Sequence, residues 1–368
     1  MLISERTVIL PEWGEAPVFH PKIAALPDGR LLMLAQPIFA SDSFGTPRCS
    51  ISSDGGLTWS RAEEIEALAA TPEGELENGV CDMVPIFHRK TGRVLALGQN
   101  VYCRNGRFVR THPGLSRYGV YLTGDGRGNW DNPLRLELPG LEDSPRVATG
   151  CSQFVELEDG SLLIPVSYSQ GGENRLVTVA HFEFNGQRLH FLARGSALMN
   201  SASRRGLMEP SLANFRNRYY LTMRAEDGFG YVSVSLDGLE YSSPCCWRWA
   251  DGEPLTMSST QQHFLELDGA LYLVYTRDAG FNRQVMRFRS PLFMARIDLE
   301  RLCLLQETEM TVFPLHGNPE QPDTVGLLGN FMVTRIDEHH VLVSDGEIFP
   351  RLGWDKPGNL RLARIDAC

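Results

Sequence analysis

The 368-residue chain lacks the features that mark a membrane protein, a disulfide scaffold or a nucleotide enzyme. No apolar run approaches the 18 or more residues of a membrane span. The opening MLISERTVIL carries Glu5 and Arg6 and no long apolar core with a small-residue cleavage site, so no signal peptide is expected and the expected location is cytoplasmic. The eight cysteines (Cys49, Cys81, Cys103, Cys151, Cys245, Cys246, Cys303 and Cys368) include no CxxC pair, so free thiols are expected and a zinc site has no support. No glycine-rich phosphate loop, dinucleotide fingerprint or dense metal-ligand motif occurs, so no cofactor and no metal are expected. Positive charge is scarce: 35 Lys+Arg against 45 Asp+Glu give a formal charge of −10. That balance argues against nucleic acid or an anionic membrane as partner, because both need a basic footprint.

The chain does have ample core material, with 42% hydrophobic residues, and 35 Gly and 22 Pro scattered along its length as turns between short strands. One phrase recurs: an apolar run, a polar turn with Gly or Asn, and a second apolar run. It reads IAALPDGRLLMLAQ, MVPIFHRKTGRVLALGQ, QFVELEDGSLLIPVSYS, SLANFRNRYYLTMR, HFLELDGALYLVYTR and, more weakly, NFMVTRIDEHHVLVS. Each is written like a β-hairpin. The turn residues Gly29, Gly92, Gly160, Asn217, Gly269 and Glu338 fall 63, 68, 57, 52 and 69 residues apart, room for four strands each. Length alone would allow two domains, but six such repeats in an all-β chain predict a single six-bladed β-propeller over residues 1–368. A pair of β-sandwiches is second, since it does not require even spacing. Ring closure predicts that a strand around Thr7–Leu10 pairs near Leu360–Ile365.

The most specific string is SSDGGLTW, Ser52–Trp59, which fits S-x-D-x-G-x-T-W, with eroded copies at Thr123–Trp130 and Ser235–Ser242. This string resembles the Asp-box (BNR) repeat of the sialidase, or neuraminidase, superfamily. In that family the motif is a structural turn away from the catalytic face, so Asp54 is not a site candidate. The resemblance implies a sialidase-like propeller that binds a sugar carboxylate with arginines and uses an Asp acid/base and a Tyr nucleophile activated by a Glu.

Residue by residue, Glu209 and Arg224 in EPSLANFRNRYYLTMR resemble the family's Glu-then-Arg arrangement, and Asp42 in IFASDSFGTPR lies where its acid/base Asp is expected. A surface ion pair and a turn-making Asp are the plain alternatives. The segment YTRDAGFNRQVMRFRSPLFMARID offers Arg277, Arg283, Arg287 and Arg289 as further clamp members. Strand alternation would put Arg287 and Arg289 on one side, while Arg277, ending its strand as Arg224 does, is the preferred member. Two departures stand out. The family's first-blade Arg-Ile-Pro is replaced by FHPKIAALPDG, with His20 and Lys22, and no tyrosine follows Tyr275. Lys22 could pair with an anion as a point charge. Tyr168, Tyr231 and Tyr275 remain open as replacements for the nucleophile. His20, with Gln261, Gln262 and His263 of SSTQQH, could join Glu209 and Arg224 around one mouth, with imidazole moving protons.

The expected function is therefore a sialidase-like exo-glycoside hydrolase that removes a terminal acidic sugar, sialic or uronic, from a glycan. Catalytic candidates are Glu209, Asp42 and His20; substrate-binding candidates are Arg224, Arg277, Lys22, Gln261, Gln262, His263 and Arg287. The alternatives are a lyase that eliminates across a uronate with a His or Tyr base, and a noncatalytic glycan-binding propeller.

Overall fold

The computed structural model describes residues 1–110, 114–257, 259–353 and 357–367. Six antiparallel sheets follow one another along the chain and form a ring, a six-bladed propeller. Each recurring hairpin supplies the first two strands of its blade. The first blade runs Val18–Ala25, Leu31–Ala40, Arg48–Ser52 and Glu63–Glu64. The second is built on Leu76–His88, Arg93–Arg104 and Gly119–Gly124, and the third on Leu162–Ser169, Leu176–Phe184 and Leu189–Arg194. Met208–Phe215, Arg218–Arg224 and Gly230–Ser235 form most of the fourth, and His263–Leu267, Ala270–Tyr275 and Leu292–Asp298 most of the fifth.

The sixth blade joins the two ends of the chain. Met332–Arg335, His340–Glu347 and Asn359–Asp366 are completed by Leu2–Val8, whose register runs from Leu2 opposite Asp366 to Val8 opposite Leu360. The expected closure is present, with Ile9 and Leu10 beyond the strand. It removes the exposed sheet edges that an open ring would leave.

The period of two explains why the second strands are apolar throughout. In Leu31–Ala40, Leu32 and Leu34 pack with Val94, Ala96 and Leu122 of the second blade. The alternate residues Leu31, Met33 and Ala35 pack with Leu342, Leu360 and Leu362 of the sixth. Both faces of each sheet are buried against a neighbour, so the core lies between blades. Five hairpin turns hold their turn residue at positive φ, from 59° at Asn217 to 84° at Gly29. The sixth differs: Glu338 is not left-handed, and the turn closes by backbone bonds from Ile336 and Asp337 to the carbonyl of His340.

The turn Ser52–Trp59 follows the third strand of its blade. Asp54 accepts the Thr58 amide and hydroxyl and the Ser52 hydroxyl, which together hold its carboxyl down at about 2, and Trp59 is buried. Asp125 and Asp237 accept turn amides in the same way after the third strands of blades two and four. In an antiparallel blade the third strand ends opposite the start of the first, so these turns lie away from the face described below.

Arg361 fastens the closure. It is fully buried, donates from Nη1 to Glu347 Oε1 at 2.9 Å and from Nε to Glu5 Oε1 at 2.8 Å, and its guanidinium lies over Phe313. Glu347 is equally buried. Arg361→Met removes that carboxylate's buried cation, leaving it Asn359 and His316 as partners, and should lower the unfolding free energy by about 3–5 kcal/mol in urea titration; a change under about 1 kcal/mol would contradict this role.

Candidate active site

The site begins with a backbone irregularity. Pairing of the innermost strand with its neighbour slips between Phe19 and Lys22, between Cys81 and Val84, and between Met208 and Ser211. In the third blade the innermost strand divides into Arg146–Ala148 and Val155–Glu156. At each interruption one non-glycine residue is left-handed: His20 at φ 48°, Asp82 at 63°, Cys151 at 59° and Glu209 at 44°. Such a conformation costs of order 1–3 kcal/mol, and a bulge of this kind re-aims a side chain. Gln261 and Asn330 hold the matching place in blades five and six, two residues ahead of the strands starting at His263 and Met332. All six residues line one cavity of roughly 510 Å³. Gly150 makes the crowding possible, since a Cβ there would lie 2.4 Å from that of Asp82.

His20 is the most tightly held member. Its Nδ1 lies 2.6 Å from Asp82 Oδ1, and its Nε2 lies 3.3 Å from Asn330 Oδ1. Arg289 donates to the same Asn330 oxygen at 2.9 Å, which fixes the amide's orientation. Both ring nitrogens thus face oxygens, which fixes the ring's orientation. Asp82 is buried, which opposes its charge, but the charge and contact of His20 outweigh this and hold the carboxyl far below its usual range. Its other oxygen accepts from Gln99 at 2.6 Å.

Across the cavity, Arg224 donates to Glu209 Oε1 at 2.5 Å and to the Ser259 carbonyl. Asp42, at φ 56°, reaches the rim from the tip between Leu31–Ala40 and Ser43–Phe44. Nine arginines line the cavity against three carboxylates, Asp42, Asp82 and Glu209, so a chain of net charge −10 carries a strongly cationic hollow.

No family model matches the chain, and no curated protein does. Among solved structures it is similar to the Hadza microbial sialidase Hz136, with 14% identity over 95% of this chain and 66% of that one, and a TM-score of 0.66. Trypanosoma rangeli sialidase, also solved in complex with sialic acid, is similar at 14% identity over 98% of this chain and 55% of its own, with a TM-score of 0.66. A protein of unknown function from Dyadobacter fermentans is similar along 99% of its length, at 14% identity and a TM-score of 0.67. The fold is the sialidase fold. The chain spans 55–66% of the length of the two sialidases, and likeness at this identity concerns the fold alone.

Within this sialidase-like propeller, six of the residues expected from the sequence line the cavity: His20, Asp42, Glu209, Arg224, Gln261 and Arg287. Four do not. Lys22 is fully buried beneath it, donating to Gln261 Oε1, the Asn330 carbonyl and the Phe331 carbonyl, so it staples blades one, five and six. Gln262 points between blades and accepts from Thr222 at 2.6 Å. His263 is fully buried; burial and the nearby Lys22 push its pKa well below the usual value, so it is neutral, with Nδ1 on the Ser211 hydroxyl and Nε2 at Gln261 Oε1. Arg277 is held bidentately by Glu309 and lies against Trp249 and Phe293. Arg287 and Arg289 are not on a strand: Met286–Phe288 is a 3₁₀ turn with Arg287 at φ 54°. Among the described residues no tyrosine lines the cavity; Tyr168 is core, Tyr231 donates to Asp227 and Tyr275 to Glu309.

Sequence reasoning missed Asp82, Cys151 and Asn330, although each stands eight to ten residues ahead of its hairpin turn, as His20 and Glu209 do. It also missed most of the lining arginines, which sit in connecting segments. His20, Asp82 and Cys151 place potential metal-ligand atoms within 4.8 Å of one another. Lys22, Arg289 and Arg117 surround the group and disfavour a divalent cation there. The Cys151 thiol, 3.8 Å from His20 Nε2, is pushed well above its usual pKa by burial and by Asp82. Iodoacetamide at neutral pH should therefore modify exposed Cys245 in the folded protein and leave Cys151 intact by peptide mass mapping; rapid labelling of Cys151 would show it to be a thiolate. Cys368 lies outside the described residues.

Proposed function

We propose that the protein is a carbohydrate-active enzyme that cleaves a terminal acidic sugar, of sialic or uronic type, from a glycan by hydrolysis. The observation that carries this reading is the convergence of the His20–Asp82 pair and the Glu209–Arg224 pair on one arginine-lined cavity. A carboxylated sugar is the ligand whose charge that lining complements, since guanidinium groups bind carboxylate bidentately. The volume suits a sugar-sized ligand. A sialidase-like fold, one of whose solved relatives holds sialic acid, is consistent with it.

In the proposed reaction the sugar carboxylate rests on Arg224 and Arg287. His20, oriented by Asp82, gives the Nε2 proton to the departing glycosidic oxygen as the bond to the anomeric carbon breaks. A water adds to that carbon and loses its proton to Glu209 or Asp42. Arg224 occupies Glu209 Oε1 and leaves Oε2 for the water. A tyrosine nucleophile is not part of this scheme.

One observation favours a second reading, elimination across a uronate: the cavity presents a histidine–aspartate pair and, among the described residues, no tyrosine. A neutral His20 would then take the proton next to the carboxylate while the linkage oxygen leaves from the adjacent carbon.

Product masses from a panel of acidic oligosaccharides separate the two. Fragments summing to substrate plus water mean hydrolysis; fragments summing to substrate alone, with new absorbance near the ultraviolet edge, mean elimination. Glu209→Gln should lower turnover by about 10²–10⁴-fold while leaving substrate affinity within a few-fold. Unchanged turnover removes Glu209 from the mechanism, and binding without turnover by the unmodified protein makes it a lectin-like propeller.

A further inference from the structure

The arginine lining exceeds what one carboxylate requires, and its surplus is gathered on one side. Arg117, Arg175 and Arg205 come from connecting segments and Arg146 from the start of the third blade's innermost strand, all at blades two to four, away from Arg287 and Arg289 in the fifth. Backbone pairing brings them together in twos. Arg117 and Arg146 are bridged in parallel, the Val147 amide donating to the Arg117 carbonyl at 2.8 Å. The Arg175 amide donates to the Arg205 carbonyl at 3.0 Å.

Their side chains are poorly neutralised. Among the described residues Arg117 donates only to the Asn100 carbonyl and Arg146 only to the Arg110 carbonyl, and of the four Arg205 alone meets a carboxylate, Glu226, at 2.6 Å. Among the described residues the Arg175 guanidinium has no hydrogen bond or ion pair, and the Nε atoms of Arg175 and Arg146 are buried without a partner. Mutual repulsion is the consequence. Burial, then Arg146, Arg205 and Arg224, bring Arg175 down to about 9, and burial, then Arg117 and Arg205, bring Arg146 down to about 10. A folded protein keeps half-buried charges of one sign together at a cost, and a bound anion offsets it.

We propose that Arg117, Arg146, Arg175 and Arg205 form a second anion subsite that takes a tetrahedral oxyanion, a sulfate or phosphate ester on the sugar. A tetrahedral group presents three oxygens in different directions, which suits donors arriving from separate segments better than the two coplanar oxygens of a carboxylate. The preferred substrate then carries two anionic groups, one on Arg224 and one here. Only the nature of the molecule bearing the oxyanion rests on the acidic-sugar reading; capture of the oxyanion itself does not.

The test uses inorganic sulfate and inorganic phosphate at low millimolar concentration, read by thermal unfolding and calorimetry on the full chain. The unmodified protein should show a saturable rise in melting temperature with at least one of them. Arg175→Met should melt at or above the unmodified protein without anion, having lost an unpaired half-buried charge, and should bind at least tenfold more weakly. Arg224→Met should keep that binding. A response to sulfate alone assigns a sulfate ester, to phosphate alone a phosphate ester, and to both the shared chemistry. No saturable response to either, or a response that survives Arg175→Met, overturns the subsite even if acidic glycans are cleaved.

Discussion

A regular innermost strand would aim alternate side chains into the flanking blades, and the site depends on four places where that pleating fails. His20, Asp82, Cys151 and Glu209 are each left-handed, none is glycine, and each directs its side chain into the same hollow. The backbone cost of order 1–3 kcal/mol at each has to be offset by what the residues do to one another. The 2.6 Å contact between His20 and Asp82 of neighbouring blades, and the ion pair of Glu209 with Arg224 within the fourth blade, contribute to that offset. The ring has to be closed for this to work, because His20 belongs to the first blade and its partner Asn330 to the sixth. Pairing of Leu2–Val8 with Asn359–Asp366, fastened by Arg361, is thus a condition for the site as well as for stability.

Electrostatics set the hollow apart from the rest of the surface. The outer surface is acidic overall while the cavity lining is rich in arginine, so an anion entering it meets the opposite sign only at its destination. Arginine in place of lysine matters because its charge persists at any working pH and its planar donors fix an oxyanion's orientation. Lys22, the lysine that the sequence places near the site, is used below the floor as a structural cation with three oxygen acceptors.

The fold was largely legible because a propeller repeats. Six hairpins at nearly even spacing, and an aspartate-centred turn after the third strand, are local patterns, and the structure places them as expected. The site was legible where a residue stood close in sequence to the start or end of a recurring hairpin, as with His20, Glu209, Arg224 and Gln261. Gln262 neighbours Gln261 in sequence yet faces the space between blades, because a single-residue step reverses the side of a strand, and His263, two steps on, is buried behind Gln261 with its Nε2 at Gln261 Oε1. Arg277 looks equivalent to Arg224 along the chain, but Glu309, thirty-two residues later, captures it, and no pattern announces that pairing. Arg117, Arg175 and Arg205 lie in connecting segments, and Arg146 in a three-residue strand, too short for a periodicity to phase them. Asp82, Cys151 and Asn330 could have been found by aligning the six hairpins on their turn residues and reading back to the His20 position.

The most direct measurement is a crystal structure of the protein soaked with an acidic monosaccharide. The account predicts the sugar on the ring axis, its carboxylate on Arg224 and its anomeric hydroxyl oxygen within hydrogen-bond reach of His20 Nε2. A sugar bound outside the hollow, or one in the hollow with its linkage carbon turned away from both His20 and Glu209, would contradict it.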